Sequence, residues 1–327
     1  MKAVVLTAPH RLTVADDLPE PVPGPGEVVV ALEGLGVCGS DLSVHEGHRA
    51  VPAVPWVMGH EAFGRVVSTG SAVPAQIVGR RVVVEPNFAC LECADCRRGL
   101  TSACPYRAIV GMNAPGLLAE RFTVPAPFAH VVPEELDVRD LAAFEPYVVA
   151  RTAVKRSGIS KGERALVLGA GAQGLLLSQS LLALGAEPVV VELHPERLAR
   201  AVALGATAAG DGDGGFLRLY ETTGAAPALA AALPRLAPGA TLTLVGLDTA
   251  PLPLTMDQVV RGLLTIQGSL IYDHPHDFRS ALDDITSDRV HPSVALTTRY
   301  AFEDAPRAFA EARGQAGKTW IAGPGTG

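Results

Sequence analysis

The segment from Arg164 to Gly174, RALVLGAGAQG, constrains the fold of this chain more than any other segment. An apolar strand pattern leads into the glycines Gly169, Gly171 and Gly174, spaced G-x-G-x-x-G, and a helical pattern follows. In such a turn the glycines allow a tight bend, the approach of a pyrophosphate, and close packing of helix on strand. The free N–H groups of the helix N-terminus then bind the anion. The pattern predicts a dinucleotide site on a parallel α/β sheet, and the alternative is a turn used only for packing.

The residues beside this turn indicate which dinucleotide it would bind. Glu192 ends the next predicted strand, where a carboxylate accepts hydrogen bonds from the adenosine ribose and repels a 2′-phosphate. This favours NAD over NADP. His194 and Arg197 would oppose that preference by reaching a phosphate, or they are solvated residues of the helix HPERLAR. Ala172 and Gln173, at the start of the helix that follows the turn, are also predicted to bind the cofactor.

The pattern of the chain changes twice, which predicts two domains. A length of 327 residues suggests about two domains. The first half consists of short strand patterns broken by Gly and Pro, whereas from Arg164 onward strands alternate with amphipathic helices. From about Thr297 the earlier pattern returns. We expect a β-rich domain of residues 1–146 and 295–327, and a nucleotide-binding domain of residues 147–294.

One connection of the second domain is predicted to be short. Only ten residues separate Gly205 from Phe216. A crossover between parallel strands usually needs a dozen or more residues, including its helix. The sequence therefore predicts a missing crossover helix, a smaller nucleotide-binding domain and a more open adenine site.

Composition and charge exclude several classes of function. The net charge is −7 and the 27 Lys and Arg residues form no cluster, which argues against a nucleic-acid partner. No apolar run is long enough to span a bilayer, and the opening MKAVVLTAPH is too short for a signal peptide. We therefore expect no membrane partner and a cytoplasmic location. The 34 glycines and 26 prolines disfavour a helical bundle.

Four of the five cysteines lie within fifteen residues and predict a metal site. They are spaced C-x2-C-x2-C-x7-C, within a lobe of about residues 88–106, and are Cys90, Cys93, Cys96 and Cys104. Four thiolates on a short loop suit tetrahedral zinc, and such a site leaves no position for substrate, so its role is structural. Disulfides are disfavoured in a reducing compartment, whereas the spacing alone does not exclude an iron–sulfur cluster.

The fifth cysteine, Cys38, belongs to a second candidate site. It lies in GVCGSD and precedes GHE, which contains His60 and Glu61. A catalytic zinc keeps three protein ligands and an open position, and one thiolate, one imidazole and one carboxylate satisfy that need. From spacing alone, a cysteine such as Cys38 is more often a small buried side chain, and a histidine such as His60 is more often part of a surface ion pair.

Together these motifs resemble the zinc-dependent medium-chain dehydrogenase/reductase family, the group of alcohol, sorbitol and threonine dehydrogenases. The resemblance covers nearly the whole chain. The matching segments are MKAVVL, GVCGSD, GHE, the four-cysteine lobe, GAGAQG, VELHPERLARAVALGA, LAPGATLTLVGL and GKTWIAG. The resemblance implies an α/β fold with a GroES-like β-rich catalytic domain and a Rossmann domain with a doubly wound parallel sheet. It also implies a homodimer or homotetramer.

The resemblance implies two zinc ions per chain and assigns roles in catalysis. Cys38 and His60 would ligate the catalytic zinc, with Glu145 of AFEPYVVA as the third ligand and Glu61 as its exchange partner. A second carboxylate on the ion would leave a net charge of −1 and weaken it as a Lewis acid. Ser40 would begin the proton relay, or it is a turn residue. The assignment adds Val245 and Ser269 to the cofactor-binding residues.

The chain also departs from the family. Ser43 stands where many members have a relay histidine, and His45 or His48 would have to replace it. The segment around Glu145 resembles polyol, sugar and amino-alcohol dehydrogenases. The sequence therefore predicts hydride transfer between a secondary alcohol of polyol, cyclitol or amino-alcohol type and NAD. A reductase of C=C or C=N bonds on the same scaffold, or a non-catalytic nucleotide and zinc sensor, are the alternatives.

Overall fold

The computed structural model describes residues 1–325, which divide into two compact units. Unit 1 contains Met1–Glu145, Asp273–Phe278 and the chain from Leu296 onward, and unit 2 contains Pro146–Tyr272 and Arg279–Ala295. Residues 273–278 were expected in the nucleotide-binding domain, and that assignment is wrong for them. The backbone N–H of Ser102 donates to Asp273 Oδ1 and that of His274 donates to Thr101 Oγ1, which holds the segment in unit 1.

The described chain contains eighteen strands and ten α-helices, besides short 3-10 helices and loops. The strands are β1 Ala3–Ala8, β2 Arg11–Ala15, β3 Glu27–Gly36, β4 Trp56–Val57, β5 Glu61–Thr69, β6 Arg81–Val84, β7 Asn87–Phe88, β8 Ala108–Ile109, β9 Arg121–Pro125, β10 Ala129–Val131, β11 Arg164–Leu168, β12 Glu187–Val191, β13 Thr207–Ala208, β14 Phe216–Glu221, β15 Leu236–Leu244, β16 Thr265–Gly268, β17 Leu296–Tyr300 and β18 Lys318–Ala322. The helices are α1 Gly39–His45, α2 Ala94–Arg97, α3 Val138–Ala142, α4 Phe144–Ser157, α5 Ala172–Leu184, α6 Pro195–Leu204, α7 Ala226–Ala232, α8 Met256–Gly262, α9 His276–Thr286 and α10 Ala305–Glu311. None of these helices is long and apolar enough to cross a membrane.

Unit 1 is built around the long strand β3. It belongs to a seven-stranded sheet of order β10-β6-β5-β3-β18-β17, in which β9 also pairs with β3, and a three-stranded sheet has the order β2-β1-β4. Alternate apolar residues of β3, Val28, Val30 and Leu32, lie on one face and join the core of the unit. The pairing with β5 is antiparallel and places Gly36 opposite Glu61. The end of β3 therefore lies beside the start of β5.

Unit 2 contains a parallel six-stranded sheet of order β13-β12-β11-β14-β15-β16. The strand order reverses between β11 and β14, and ligands of such sheets bind at the carboxyl ends beside this reversal. β13 and β14 are joined by residues 209–215, and this connection contains no helix. The predicted loss of a crossover helix is confirmed. Apolar residues of the central strands, including Leu166, Leu219 and Leu242, form the core of the sheet.

Candidate metal centre and nucleotide-binding turn

Strand register brings three separated parts of the chain to one place in unit 1. Cys38 follows the end of β3, and His60 precedes the start of β5, which pairs with β3 there. On the other side of β3, the strand β18 pairs Trp320 with Gly36 and so places Lys318 at the same end. A Cβ on Gly36 would lie 2.3 Å from Glu61 Oε2, so only glycine leaves room for these side chains.

The ligand atoms of Cys38, His60 and Glu61 all lie within 4.8 Å of one another. Glu61 is buried, and its Oε1 has no hydrogen-bond partner among the described residues. A buried carboxylate oxygen without a partner is unfavourable unless a cation or a donor satisfies it. The donor set and the unsatisfied oxygen therefore fit a zinc ion bound by one thiolate, one imidazole and one carboxylate.

Asp41 determines which nitrogen of His60 faces this centre. Its side chain is fully buried, and Oδ1 lies 2.9 Å from His60 Nδ1 while Oδ2 accepts from the Cys38 N–H. A carboxylate on Nδ1 fixes the ring and leaves Nε2 free to bind a metal. Burial would lower the pKa of His60, but Asp41 and Cys38 raise it well above its usual value. Asp41 is the last residue of the motif GVCGSD, but the motif alone gives no sign of this role.

Lys318 is a second residue of the metal centre that the motifs did not identify. Its ammonium forms an ion pair with Glu61 Oε2 and donates to the carbonyl of Val37 at 2.9 Å. Burial would lower the pKa of Lys318, but Glu61, Cys38 and Glu145 raise it above its usual value, so the side chain stays charged. The sequence does contain one signal for this role: Lys318, one of only four lysines in the chain, lies in the largely apolar segment GKTWIAG.

The charge on Lys318 affects how many carboxylates can lie near the metal ion. With a dication bound, the ion and Lys318 carry three positive charges against the four negative charges of Cys38, Asp41, Glu61 and Glu145. Lys318 therefore compensates one of the carboxylates near the ion. Glu145 is buried in the first turn of α4, but it is not among the residues whose ligand atoms converge within 4.8 Å. The geometry brings Glu61, not Glu145, to Cys38 and His60.

The structure also places the residues considered for proton transfer. Ser40 lies half-buried in the first turn of α1, which begins directly after Cys38. The hydroxyl of Ser43 donates to the carbonyl of Gly39 at 3.1 Å, within its own helix. His45 is buried with its ring against His10 and Phe309, at centroid distances of 5.4 and 5.7 Å. Ser43 is thus hydrogen-bonded within its own helix and His45 packs against two rings, and Ser40 remains the nearest hydroxyl in sequence to Cys38.

The four-cysteine lobe forms a compact thiolate cluster. The ligand atoms of Cys90, Cys93, Cys96 and Cys104 lie within 4.8 Å of one another. The sulfur of Cys90 is 4.0 Å from that of Cys96 and 3.6 Å from that of Cys104. Tetrahedral Zn–S bonds of about 2.3 Å require sulfur separations of about 3.8 Å. The arrangement fits a structural zinc ion.

In unit 2, the glycine turn has the backbone that an anion site requires. Gly169 follows β11 with a φ of +92°, and Gly171 caps the N-terminus of α5. A Cβ on Gly174 would lie 2.0 Å from the carbonyl oxygen of Gly169, whereas a Cβ on Gly171 would meet no atom within 4 Å. Gly174 therefore allows the helix to pack on the strand, and Gly171 leaves open space above the turn.

The other predicted cofactor residues lie along the carboxyl edge of the same sheet. Glu192 follows β12 and accepts from the N–H groups of Ala170 and His194 at 2.7 and 2.8 Å, so it braces the glycine turn. Ala172 and Gln173 begin α5, and Arg197 lies half-buried in α6. Val245 follows β15. Ser269 follows β16 and its hydroxyl accepts from Arg156 at 3.2 Å.

Comparison with known proteins identifies the family. Residues 24–134 match the alcohol dehydrogenase GroES-like domain, and residues 172–287 match the zinc-binding dehydrogenase domain. D-xylulose reductase A from Aspergillus niger is 31% identical over 98% of this chain and 96% of its own length. The chain belongs to the zinc-dependent medium-chain dehydrogenase family. The expected α/β fold, with GroES-like and Rossmann domains, is thereby confirmed.

Solved structures of this family superimpose closely on the chain. The rspB protein from Escherichia coli CFT073, in complex with NADH, has a TM-score of 0.92 at 25% identity and covers 98% of this chain and 99% of its own. Galactitol-1-phosphate dehydrogenase from Escherichia coli has a TM-score of 0.90 at 26% identity, with coverage of 98% and 100%. This medium-chain dehydrogenase is therefore a zinc-dependent alcohol oxidoreductase that uses a nicotinamide cofactor and acts on a small molecule.

Proposed function

We propose that the protein transfers a hydride between a secondary alcohol of polyol, cyclitol or amino-alcohol type and NAD. The observation that carries the proposal is the convergence of Cys38, His60 and Glu61 beside the buried ammonium of Lys318. Relatives named as a D-xylulose reductase and a galactitol-1-phosphate dehydrogenase support a polyhydroxylated substrate.

Each residue of the centre has a distinct role in this proposal. Cys38, His60 and a carboxylate would hold the zinc, which as a Lewis acid lowers the pKa of an alcohol and polarises a carbonyl. Asp41 keeps His60 in the orientation for binding, and Lys318 compensates the charge of the Glu61 carboxylate. Ser40, in the first turn of α1, would accept the hydroxyl proton of the substrate and pass it towards solvent.

Alcohol-dependent formation of NADH, followed at 340 nm over a panel of polyols, cyclitols and amino alcohols, tests the function. We expect turnover with at least one vicinal diol or amino alcohol and little with simple primary alcohols. Consumption of NADH by an enone or an iminium compound, without turnover of any alcohol, would instead show a reductase. Binding of NADH without any turnover would show a sensor.

The third zinc ligand is predicted to be Glu61. Glu61→Gln should weaken zinc binding at the catalytic site by more than about 100-fold, since changes to groups that merely support ligands already cost 10- to 100-fold. Glu145→Gln should keep the ion because its carboxylate lies outside the converging group. Zinc retained after dialysis against a chelator, measured by mass spectrometry, distinguishes the two. Loss of zinc from Glu145→Gln, but not from Glu61→Gln, would reverse the assignment.

We propose that the cofactor is NAD and that Glu192 determines the preference for NAD over NADP. Glu192→Ala should reduce the preference for NADH over NADPH by about tenfold, or about 1.4 kcal/mol, because repulsion of a 2′-phosphate is lost. Loss of the hydrogen bond from Ala170 alone would weaken the binding of both cofactors equally. The measurement is therefore the ratio of their dissociation constants. Glu196→Ala, an exposed acid in the next helix, is the control and should leave the ratio unchanged. An unchanged ratio in Glu192→Ala would count against the assignment.

We further propose that the protein forms a homodimer or homotetramer through the edge of the six-stranded sheet. β16 is the edge strand there, and the preceding helix α8 exposes Met256 and Val260 by 87% and 71%. Apolar side chains beside an open strand edge are typical of a covered surface. Met256→Glu should lower the mass measured by sedimentation, whereas Val22→Glu, at an equally exposed apolar position, should not. A monomeric wild-type protein would contradict the proposal.

A cytoplasmic location stays a prediction. It agrees with the four thiolates of the lobe, which must remain reduced to bind zinc. Localisation of the tagged protein by fractionation tests it, and recovery outside the cytoplasm would contradict it.

A further inference from the structure

A third group of metal-ligating side chains lies in unit 1, apart from both zinc sites. The ligand atoms of Glu85, His130 and His274 lie within 4.8 Å of one another. Glu85 Oε2 is 2.8 Å from His130 Nε2 and 2.8 Å from His274 Nδ1. The side chain of Glu85 is 1% exposed, and those of the two histidines are 8% and 9% exposed. The family resemblance assigns no role to these three residues.

The three side chains come from distant parts of the chain and are held in place by packing. Glu85 follows β6, His130 lies in β10, and His274 lies in the segment that precedes α9. The ring of His130 stacks on Phe278 and that of His274 lies on Phe128, both at centroid distances of 4.6 Å. Because the rings are fixed, binding an ion would cost little reorganisation.

The buried carboxylate of Glu85 has no permanently charged positive partner among the described residues. Among the described residues, its carboxylate contacts the two imidazoles and no Lys or Arg. With both imidazoles in the form that binds a metal, the three side chains carry a net charge of −1 among aromatic rings, which is costly in a medium of low polarity. A dication would compensate that charge.

We propose that Glu85, His130 and His274 bind a divalent first-row transition metal ion. Two imidazoles and one carboxylate form a donor set that such ions prefer over Mg²⁺ or Ca²⁺. Ligand atoms 2.8 Å apart and about 2.1 Å from an ion subtend about 85°, close to the angle between neighbouring ligands in six-coordinate ions. The ion would join the segment from Asp273 to Phe278 to β10 and to the end of β6.

Binding of Co²⁺ to the zinc-loaded protein tests this site. We expect one additional equivalent of Co²⁺ by equilibrium dialysis and mass spectrometry, beyond the zinc that the two cysteine-containing sites hold. This equivalent should show no sulfur-to-cobalt charge-transfer absorption because the site contains no thiolate. It should also raise the melting temperature. None of these readouts depends on catalysis, so failure here is distinguishable from failure of the proposed function.

Two variants separate metal binding from simple hydrogen bonding. His274→Asn and His130→Gln place an amide N–H near the lost ring nitrogen, so each keeps a donor to Glu85 but removes a metal ligand. Both should fold, and both should lose the additional equivalent and its thermal shift. His291→Gln, an exposed histidine paired with Asp288, is the control and should keep them. No additional equivalent in the wild type, or its retention in both amide variants, would overturn the proposal and leave a purely hydrogen-bonded triad.

Discussion

His60→Ala is expected to reduce alcohol-dependent hydride transfer by about a thousandfold while the protein stays folded. The imidazole is one of three ligands that converge with Cys38 and Glu61. Lewis-acid stabilisation of developing charge is worth several kcal/mol, and about 4 kcal/mol corresponds to a thousandfold change in rate. The measurement is the initial rate of NADH formation together with zinc content. Cys38→Ala should have the same effect, and each variant should contain one zinc equivalent less than the wild type.

The control for this prediction is His291→Ala, which removes an imidazole that is 54% exposed and pairs with Asp288. It should keep both the zinc and the rate. A variant of His60 that lost its zinc but kept its activity would show that the centre does not act in catalysis. Cys96→Ser should instead lose the structural zinc and destabilise the lobe, because Cys96 is a buried member of the other cluster.

Gly171→Ala is expected to weaken cofactor binding, whereas Gly174→Ala is expected to destabilise the fold. At Gly171 an added Cβ meets no protein atom within 4 Å, so stability should change by less than about 0.5 kcal/mol. The methyl group would occupy the space into which the pyrophosphate fits, and NADH should bind roughly 10- to 100-fold more weakly. At Gly174 the Cβ would lie 2.0 Å from the Gly169 carbonyl oxygen, so the free energy of unfolding should fall by about 1–3 kcal/mol.

Fluorescence titration with NADH and chemical denaturation measure the two effects separately. Tight NADH binding by a stable Gly171→Ala protein would mean that the cofactor does not approach this turn. Unchanged stability of Gly174→Ala would mean that the helix can move away from the strand. Either result would remove the physical basis for the nucleotide site.

Local sequence patterns were sufficient to predict several helices and strands of the nucleotide-binding unit. The helix expected at HPERLAR is observed as Pro195–Leu204, because a proline at its first turn and a glycine just beyond its end mark both limits. The strand expected before the glycine turn is observed as Arg164–Leu168. The missing crossover helix was also evident, since its absence is a matter of chain length.

The centre in unit 1 was only partly predictable. Cys38, His60 and Glu61 were identified from their motifs, but the contribution of Lys318 depends on the pairing of β18 with β3, which no local pattern reveals. The assignment of Glu145 rested on the family resemblance, and the charge argument that allowed one carboxylate at a time omitted this ammonium. Residues 273–278 were assigned to the wrong domain for the same reason, because their partners Thr101 and Ser102 are distant in sequence.

The sequence by itself determined the family, the four-thiolate cluster and the dinucleotide turn, because each depends on residues close together in the chain. Tertiary structure alone decided which acid joins Cys38 and His60, how the buried charges balance, and that Glu85, His130 and His274 meet. These depend on the register between distant strands, and register is fixed by the burial of whole sheet faces rather than by any single motif.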